Sequence, residues 1–145
     1  MTEATSAAKA WNDSVIEQFR AGKERIVDRF DRSSLLLLHT KGARTGEPRM
    51  SPLVYLTIDD QMVIIGSAGG GPRHPSWYFN ILADPEVTFE RWHDGAIQTV
   101  EAKAVPVEGA ERDRLWARVT ALAKGFAAYQ AKISRVIPVI VLQPH

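Results

Sequence analysis

Residues 35–66, LLLLHTKGARTGEPRMSPLVYLTIDDQMVIIG, contain three strand-like segments in succession and decide the fold. The first is the continuous apolar run Leu35–Leu38, which is typical of a strand buried on both faces. In the second, residues 49–58, apolar and polar side chains alternate with the period of two that a half-buried strand shows. A pair of aspartates then makes a tight turn into the third segment, Met62–Gly66. The three segments predict an antiparallel sheet, and Pro52 indicates an edge or a bulge in the second strand.

The segments on either side of this sheet add helices and further strands. Residues 1–30 are predicted to form an N-terminal helix, because apolar side chains recur there at helical spacing: Trp11, Val15, Phe19, Ile26 and Phe30. The downstream predictions are a helix at 76–83, a hairpin of strands 86–92 and 96–107 joined by Asp94-Gly95, helices at 108–123 and 126–132, and a strand at 137–142. Hairpin-linked strands interrupted by helices indicate an α+β fold with a mainly antiparallel sheet. A small barrel is the natural way for such a sheet to hide its edges.

Composition restricts the classes of function. With 145 residues, 45% of them apolar and 24% charged, the chain has the size and make-up of one globular domain. It has no apolar run of the roughly 20 residues that a membrane helix needs, so a cytoplasmic location without stable membrane insertion is expected. The absence of cysteine excludes disulfides and thiolate chemistry. A net charge of +1 gives no global attraction to nucleic acid, so only a local cluster could bind an anion.

Such a cluster lies in residues 41–49, KGARTGEPR, between the first two strands. Three cations, a threonine hydroxyl and two glycines occupy a connection that is longer than an ordinary hairpin loop. Glycine lets the backbone turn and expose its N–H groups, while lysine and arginine supply charge and forked donors for a phosphate or carboxylate. The alternative is a solvated basic loop without a ligand.

A second candidate is the glycine-rich stretch 67–78, SAGGGPRHPSWY, which follows a strand and leads into a helix. Its backbone N–H groups could closely approach a planar ring or an anion. The stretch matches neither the phosphate-binding P-loop nor the dinucleotide fingerprint, and a flexible crossover is the alternative. Because the second and third strands form a hairpin, Ser67 is expected to lie near Arg49. Both loops would then surround one cofactor-sized site.

Other side chains carry less chemical information. The aromatic residues are expected mainly in the core, with Tyr78 and Tyr129 as candidates for a hydrogen bond to a bound ring. The four histidines lack the spacing of metal ligands, so no metal site is predicted. No serine lies in a nucleophile elbow. The chemistry must therefore come from other groups or from a borrowed cofactor.

An ordered series of motifs resembles the deazaflavin-dependent nitroreductase family, whose split β-barrel members use coenzyme F420. The series covers roughly residues 30–143 and comprises Leu35–Arg49, Ser51-Pro52-Leu53, Ser67–Gly70, His74–Asn80, Leu82 to Pro85, Tyr129-Gln130 and Arg135–Val139. The resemblance implies a six-stranded split β-barrel with flanking helices, formed by residues 31–145 as the cofactor-binding domain. Residues 1–30 would precede the barrel as the N-terminal helix.

The resemblance also implies which residues hold the cofactor. The basic turn would take the phosphodiester and glutamate tail through Lys41, Arg44, Thr45 and Arg49. The deazaflavin ring would lie along Pro52, Leu53, Ser67, Ala68, Gly69 and Gly70, with Trp77 as a further cofactor-binding candidate. Ser67 and Tyr129 are the candidates for catalytic polar contacts near the ring or substrate.

The implied activity is transfer of a hydride from reduced F420 to a small electrophile, which would be a quinone, an activated alkene or a nitroaromatic. Nitroreductase members carry several tyrosines before the last strand, whereas residues 125–129 contain one, and this disfavours a nitro substrate. Two alternatives stay open: an FMN-dependent reductase or oxidase on the same barrel, and an F420 carrier without turnover. The N-terminal helix could cover the substrate pocket or touch a membrane surface, although packing against the barrel is favoured. A monomer and a homodimer are both compatible with the sequence.

Overall fold

A computed structural model of the protein describes residues 3–145. The helices and strands in this range are α1 (Glu3–Arg20), β1 (Arg25–Ile26), β2 (Phe30–Asp31), β3 (Leu35–Lys41), β4 (Pro48–Ile58), β5 (Gln61–Ile65), α2 (Ser76–Ala83), β6 (Glu86–His93), β7 (Ala96–Pro106), α3 (Gly109–Leu122), α4 (Gly125–Lys132) and β8 (Val139–Pro144). Strands β3 to β8 form a closed antiparallel barrel in the order β3-β4-β5-β8-β7-β6, and β1 pairs with β2 in a separate small hairpin. The predicted α+β fold with a six-stranded barrel is confirmed.

Strand β3 is buried on both faces, as its apolar run predicts. Leu36 and Leu38 belong to the cluster that fills the barrel, whereas Leu35 and Leu37 pack outside it against α1. All four side chains are at most 3% exposed. Complete burial of a leucine side chain contributes roughly 1.5–3 kcal/mol, so this strand is a major source of stability.

Helices cover the barrel on two sides and enter one end. Helix α1 packs through Val15 and Phe19, while α3 packs through Leu115 and Val119 over the outward face of β5 and β8. Trp77 of α2 joins the interior cluster together with Ile81. None of the helices between residues 3 and 145 combines the length and apolar character needed to span a bilayer.

Strand β4 changes partners along its length and so opens the barrel locally. Residues 48–54 pair with β3, and residues 55–58 pair with β5. The first half of β4 therefore has a free edge toward the loop that follows β5, within the described part of the chain. Pro52 pairs in register with Leu37 and lies on the segment of β4 that does not pair with β5, so the predicted edge position is confirmed.

The N-terminal helix is shorter than its apolar stripe predicts. It ends at Arg20, and Gly22 adopts a φ of +78°, a conformation that ends a helix. Ile26 and Phe30 face each other in the β1–β2 hairpin, so their helical spacing arises from a tight turn. The last strand begins at Val139 rather than residue 137. The other predicted helices and strands are confirmed to within two residues, apart from β3, which extends to Lys41.

Candidate functional site

The basic turn between β3 and β4 is fastened to α2 by Asn80. This side chain is 6% exposed, and its Oδ1 accepts a hydrogen bond from the backbone N–H of Ala43 at 2.9 Å. Its Nδ2 donates to Thr40 Oγ1 at 3.0 Å. The N–H of Gly42 donates to the carbonyl of Glu47 at 2.8 Å and closes the turn. The turn is therefore anchored to the helix at Ala43 and closed by a backbone bond at Gly42.

A groove of about 1000 Å³ lies between this turn and the loop that leads into α2. We call it the basic groove, because four arginines line it: Arg44, Arg49, Arg73 and Arg135. None of the described residues that line it is acidic. Arg44, Arg49 and Arg73 are exposed, and Arg49 lies 3.4 Å from the carboxylate of Glu47. A groove of this size and charge suits an extended anionic ligand.

Arg135 binds the glycine-rich loop along its length. Its Nη2 donates to the carbonyl of Ser67 at 2.8 Å, its Nη1 to that of Gly66 at 3.0 Å, and its Nε to that of Gly71 at 3.1 Å. Nη1 also lies 3.1 Å from Nδ1 of His74. One guanidinium thus fixes a loop whose residues 68–70 all have positive φ.

A smaller groove of about 360 Å³ lies where β4 separates from β5. We call it the apolar groove, because Phe30, Pro52, Leu53 and Phe126 are among its lining residues. Trp77 lines both grooves and joins them. The apolar groove also holds Ser67, whose hydroxyl has no hydrogen-bond partner among the described residues and is not fully enclosed.

Helix α4 reaches the glycine-rich loop through Tyr129. A Cβ on Gly70, which has a φ of +82°, would lie only 3.0 Å from Cδ1 of Tyr129. Both the backbone angle and the limited space favour glycine here. Tyr129 packs edge-to-face on Phe126 at 6.1 Å between ring centroids, and both rings line the apolar groove.

The structure divides the predicted site residues between the two grooves. The basic groove is lined by Arg44, Thr45, Arg49 and Trp77, and the apolar groove by Pro52, Leu53, Ser67, Ala68, Gly69, Trp77 and Tyr129. Gly70 lies behind this surface, against Tyr129. Ser67 does not lie beside Arg49: the pairing of Tyr55 with Ile64 brings the end of β5 level with Leu53 and Pro52.

Lys41 lies outside both grooves. Its side chain is 68% exposed, and its ammonium lies 3.6 Å from the carboxylate of Asp84. It shares the outward face of β3 with Leu35, Leu37 and His39, while Thr40 faces Asn80. The period of two in the strand therefore directs Lys41 away from the arginines of the turn.

Several residues of the two grooves were not predicted as site residues: Arg29, Phe30, Arg73, His74, Asn80, Phe126 and Arg135. Arg73 was detectable, because it is a cation inside the glycine-rich stretch. Arg135 carries no such signal, since the barrel alone brings the segment before β8 against the loop after β5.

Comparison with known proteins identifies the family. A family model described as F420H(2)-dependent quinone reductase matches residues 11–144. The chain belongs to this family. Its resemblance to deazaflavin-dependent enzymes and the expected split barrel are thereby confirmed.

Individual family relatives agree with this assignment. An F420H(2)-dependent quinone reductase of Mycobacterium tuberculosis is 40% identical over 112 residues, which cover 74% of this chain and 71% of the relative. A solved F420-H2 dependent reductase is 33% identical with a TM-score of 0.64, over 76% of this chain and 94% of that one. A solved structure described as a domain-swapped dimer is 32% identical with a TM-score of 0.66, over 90% and 98%.

Proposed function

We propose that this quinone reductase family member binds F420 across the two grooves and transfers its hydride to a quinone. The observation that carries the proposal is the junction at Trp77, where a groove lined by four arginines meets a smaller apolar groove. A ligand with a long anionic tail and a planar ring needs both environments side by side. The donors present fit such a ligand.

The basic groove would hold the tail. Arg44, Arg49 and Arg73 offer forked donors for phosphate and carboxylate oxygens, and the exposed carboxylate of Glu47, 3.4 Å from Arg49, would give way to the ligand. Because Asn80 anchors the backbone at Ala43, little backbone entropy would be lost when the neighbouring Arg44 and Thr45 engage a ligand. Lys41 would take no part, because it lies outside both grooves on the outward face of β3.

The ring would lie at the split in the barrel, against Pro52, Leu53 and the loop that begins at Ser67. Reduced F420, when bound there, supplies a hydride to an electrophilic acceptor. Ser67 and Tyr129 would orient the reacting groups through their hydroxyls. A quinone that accepts a hydride also gains a proton on oxygen, and the Tyr129 phenol is suited to a hydrogen bond with that oxygen.

The segment before the barrel would cover the acceptor. Arg29 and Phe30 of the β1–β2 hairpin line the apolar groove, and the Arg29 guanidinium lies 5.0 Å from the centre of the Phe30 ring. No residue of α1 in the described range lines either groove. The hairpin, rather than the N-terminal helix, is therefore the proposed lid.

Binding and turnover measurements test the proposal together. The protein is titrated with F420 and, separately, with FMN, while cofactor fluorescence is followed. Reduced F420 is then mixed with the protein and a panel of quinones, enones and nitroaromatics. We expect F420 binding and fastest oxidation of reduced F420 by a quinone. FMN binding without F420 binding would contradict the cofactor, and faster reduction of an enone or nitroaromatic would contradict the acceptor.

The comparisons give the FMN alternative no support, since both named reductases depend on F420H2. F420 binding without reduction of any acceptor would favour the carrier alternative. The cytoplasmic location, the membrane contact and the choice between monomer and homodimer stay predictions.

A further inference from the structure

His74 and Arg135 form a hydrogen-bonded pair at the inner wall of the basic groove. Nη1 of Arg135 lies 3.1 Å from Nδ1 of His74. A guanidinium carries only donors, so this nitrogen of the imidazole must be the acceptor. The pair therefore requires a neutral ring with its proton on Nε2.

The surroundings hold the ring in this orientation. The imidazole lies against Tyr78 and Phe79, at 4.7 Å and 5.8 Å between ring centroids. Burial, and then the charge of Arg135, lower the pKa of His74 below its ordinary value. Both effects favour the neutral ring that the hydrogen bond requires.

The Nε2–H group remains available to a ligand. Nε2 has no hydrogen-bond partner among the described residues, and it is not fully enclosed by protein atoms. It is consequently accessible to solvent, and His74 lines the basic groove. An N–H donor that adds no charge suits one defined oxygen of an anion that the arginines already neutralise.

We propose that His74 is a further ligand-binding residue of the basic groove, donating from Nε2 to an anionic oxygen of the F420 tail, and that Arg135 is the positioning residue that fixes its tautomer. The inference rests on the proposed function, because it assigns the tail to this groove. Four of the five N–H donors of Arg135 bind the loop or His74, so this guanidinium acts mainly as an anchor and keeps a single Nη2–H.

Nitrogen-15 NMR of the free protein tests the pair without any cofactor. The four imidazoles are labelled, and the His74 signals are identified by their loss in His74→Gln. We expect an unprotonated Nδ1 and a protonated Nε2 at neutral pH. In Arg135→Gln, whose amide oxygen can accept a hydrogen bond from an Nδ1–H group, the ring should shift toward the other tautomer. A protonated Nδ1 in the wild-type protein would overturn the assignment of Arg135.

F420 titration tests the ligand contact. His74→Ala should weaken F420 affinity about tenfold, the usual effect of losing a hydrogen bond to a charged group. His74→Gln, whose amide N–H can replace Nε2–H, should recover part of that loss, and the exposed His93→Gln should change nothing. Unchanged affinity in His74→Ala would overturn the contact while leaving F420 dependence intact. If the wild-type protein does not bind F420, the proposed function is wrong. The anion contact is then tested by adding inorganic pyrophosphate and following the Nε2 signal of His74 by NMR. A signal that does not move would show that His74 does not contact the anion.

Discussion

At the scale of single residues, Asn80 connects the stability of the protein to its anion site. Both ends of its amide are used, one by the N–H of Ala43 in the basic turn and one by the hydroxyl of Thr40 in β3. A buried amide group that loses its partner costs the full desolvation penalty. Substitution of Asn80 thus has two separable consequences, one for the fold and one for the turn.

Asn80→Ala should lower the free energy of unfolding by about 1–3 kcal/mol, because the buried hydroxyl of Thr40 and the partly buried N–H of Ala43 lose their partner. It should also weaken F420 binding, since Ala43 and the turn lose their anchor. Thr40→Val is the matched control: it should cost about 1 kcal/mol and leave the turn bond and the affinity unchanged. Urea unfolding and fluorescence titration measure the two effects. Equal F420 affinity in both variants would show that the anchor does not organise the turn.

Substitution of Gly70 also separates an effect on stability from an effect on the site. Gly70→Ala places a side chain at a φ of +82° and 3.0 Å from Tyr129, whereas Gly95→Ala meets a φ of +77° and open space. Both substitutions should destabilise by about 1–2 kcal/mol, the usual cost of a left-handed backbone for alanine. Gly70→Ala alone should also raise the KM for the quinone, because Tyr129 must shift. An unaltered KM would exclude Tyr129 from the acceptor site.

At the scale of secondary-structure elements, α1 is attached to the barrel by a polar cluster as well as by its apolar face. Glu90 of β6 accepts a hydrogen bond from Arg20 at 2.8 Å and is bonded to the ring of His39. The Glu90 side chain is 13% exposed. Burial raises the pKa of Glu90, but the bonds from Arg20 and His39 outweigh it, and the net pKa lies below the ordinary value of 4.5.

This pKa shift predicts an acid-sensitive contribution to folding. The carboxyl has a lower pKa when folded, so its contribution is fully present above the unfolded value and disappears as the pH falls through the folded one. The loss should therefore occur below about pH 4.5. Glu90→Gln should lower stability at neutral pH by about 1–2 kcal/mol and flatten this dependence, measured by urea unfolding from pH 7 to 3. Asp59→Asn, at an exposed pair with Arg114, should change the profile less. If the unfolding free energy of Glu90→Gln falls with pH in parallel with that of the wild type, this cluster does not cause the acid sensitivity.

Elements were predictable from sequence where the signal is local. The alternation in β4, the Asp94-Gly95 turn and the apolar run of β3 all depend on neighbours within a few positions. The end of α1 was missed because Ile26 and Phe30 keep helical spacing while facing each other across a hairpin. The position of Lys41 outside both grooves was not predictable for a related reason: β3 is apolar on both faces, so the pattern does not tell which alternate residues point inward.

At the scale of the whole molecule, closure of the barrel creates the site. The pairing of β5 with β8 brings the segment containing Arg135 to the loop that begins at Ser67, across about half of the chain. Such distant pairing leaves no trace in local periodicity, which explains why His74 and Arg135 were not recognised as a pair. The arginines of the basic groove likewise come from three separate segments of the sequence.

Charge at this scale makes anion binding a property of one groove rather than of the whole protein. The net charge is +1, so the attraction for an anionic tail must come from the local arginines, and added salt should screen it. Arg44→Ala with Arg49→Ala should weaken F420 affinity by at least about tenfold at low salt and reduce its salt dependence, since fewer charges meet the ligand. The unfolding free energy should stay nearly constant, because both side chains are exposed.

Lys41→Ala is the matched control. It removes a charge that is close in sequence but directed toward Asp84, and it should leave both affinity and salt dependence unchanged. F420 titrations across a range of salt concentrations distinguish these cases. If Lys41→Ala lowers the affinity as much as the arginine substitutions do, the tail binds on the outer face of β3 instead.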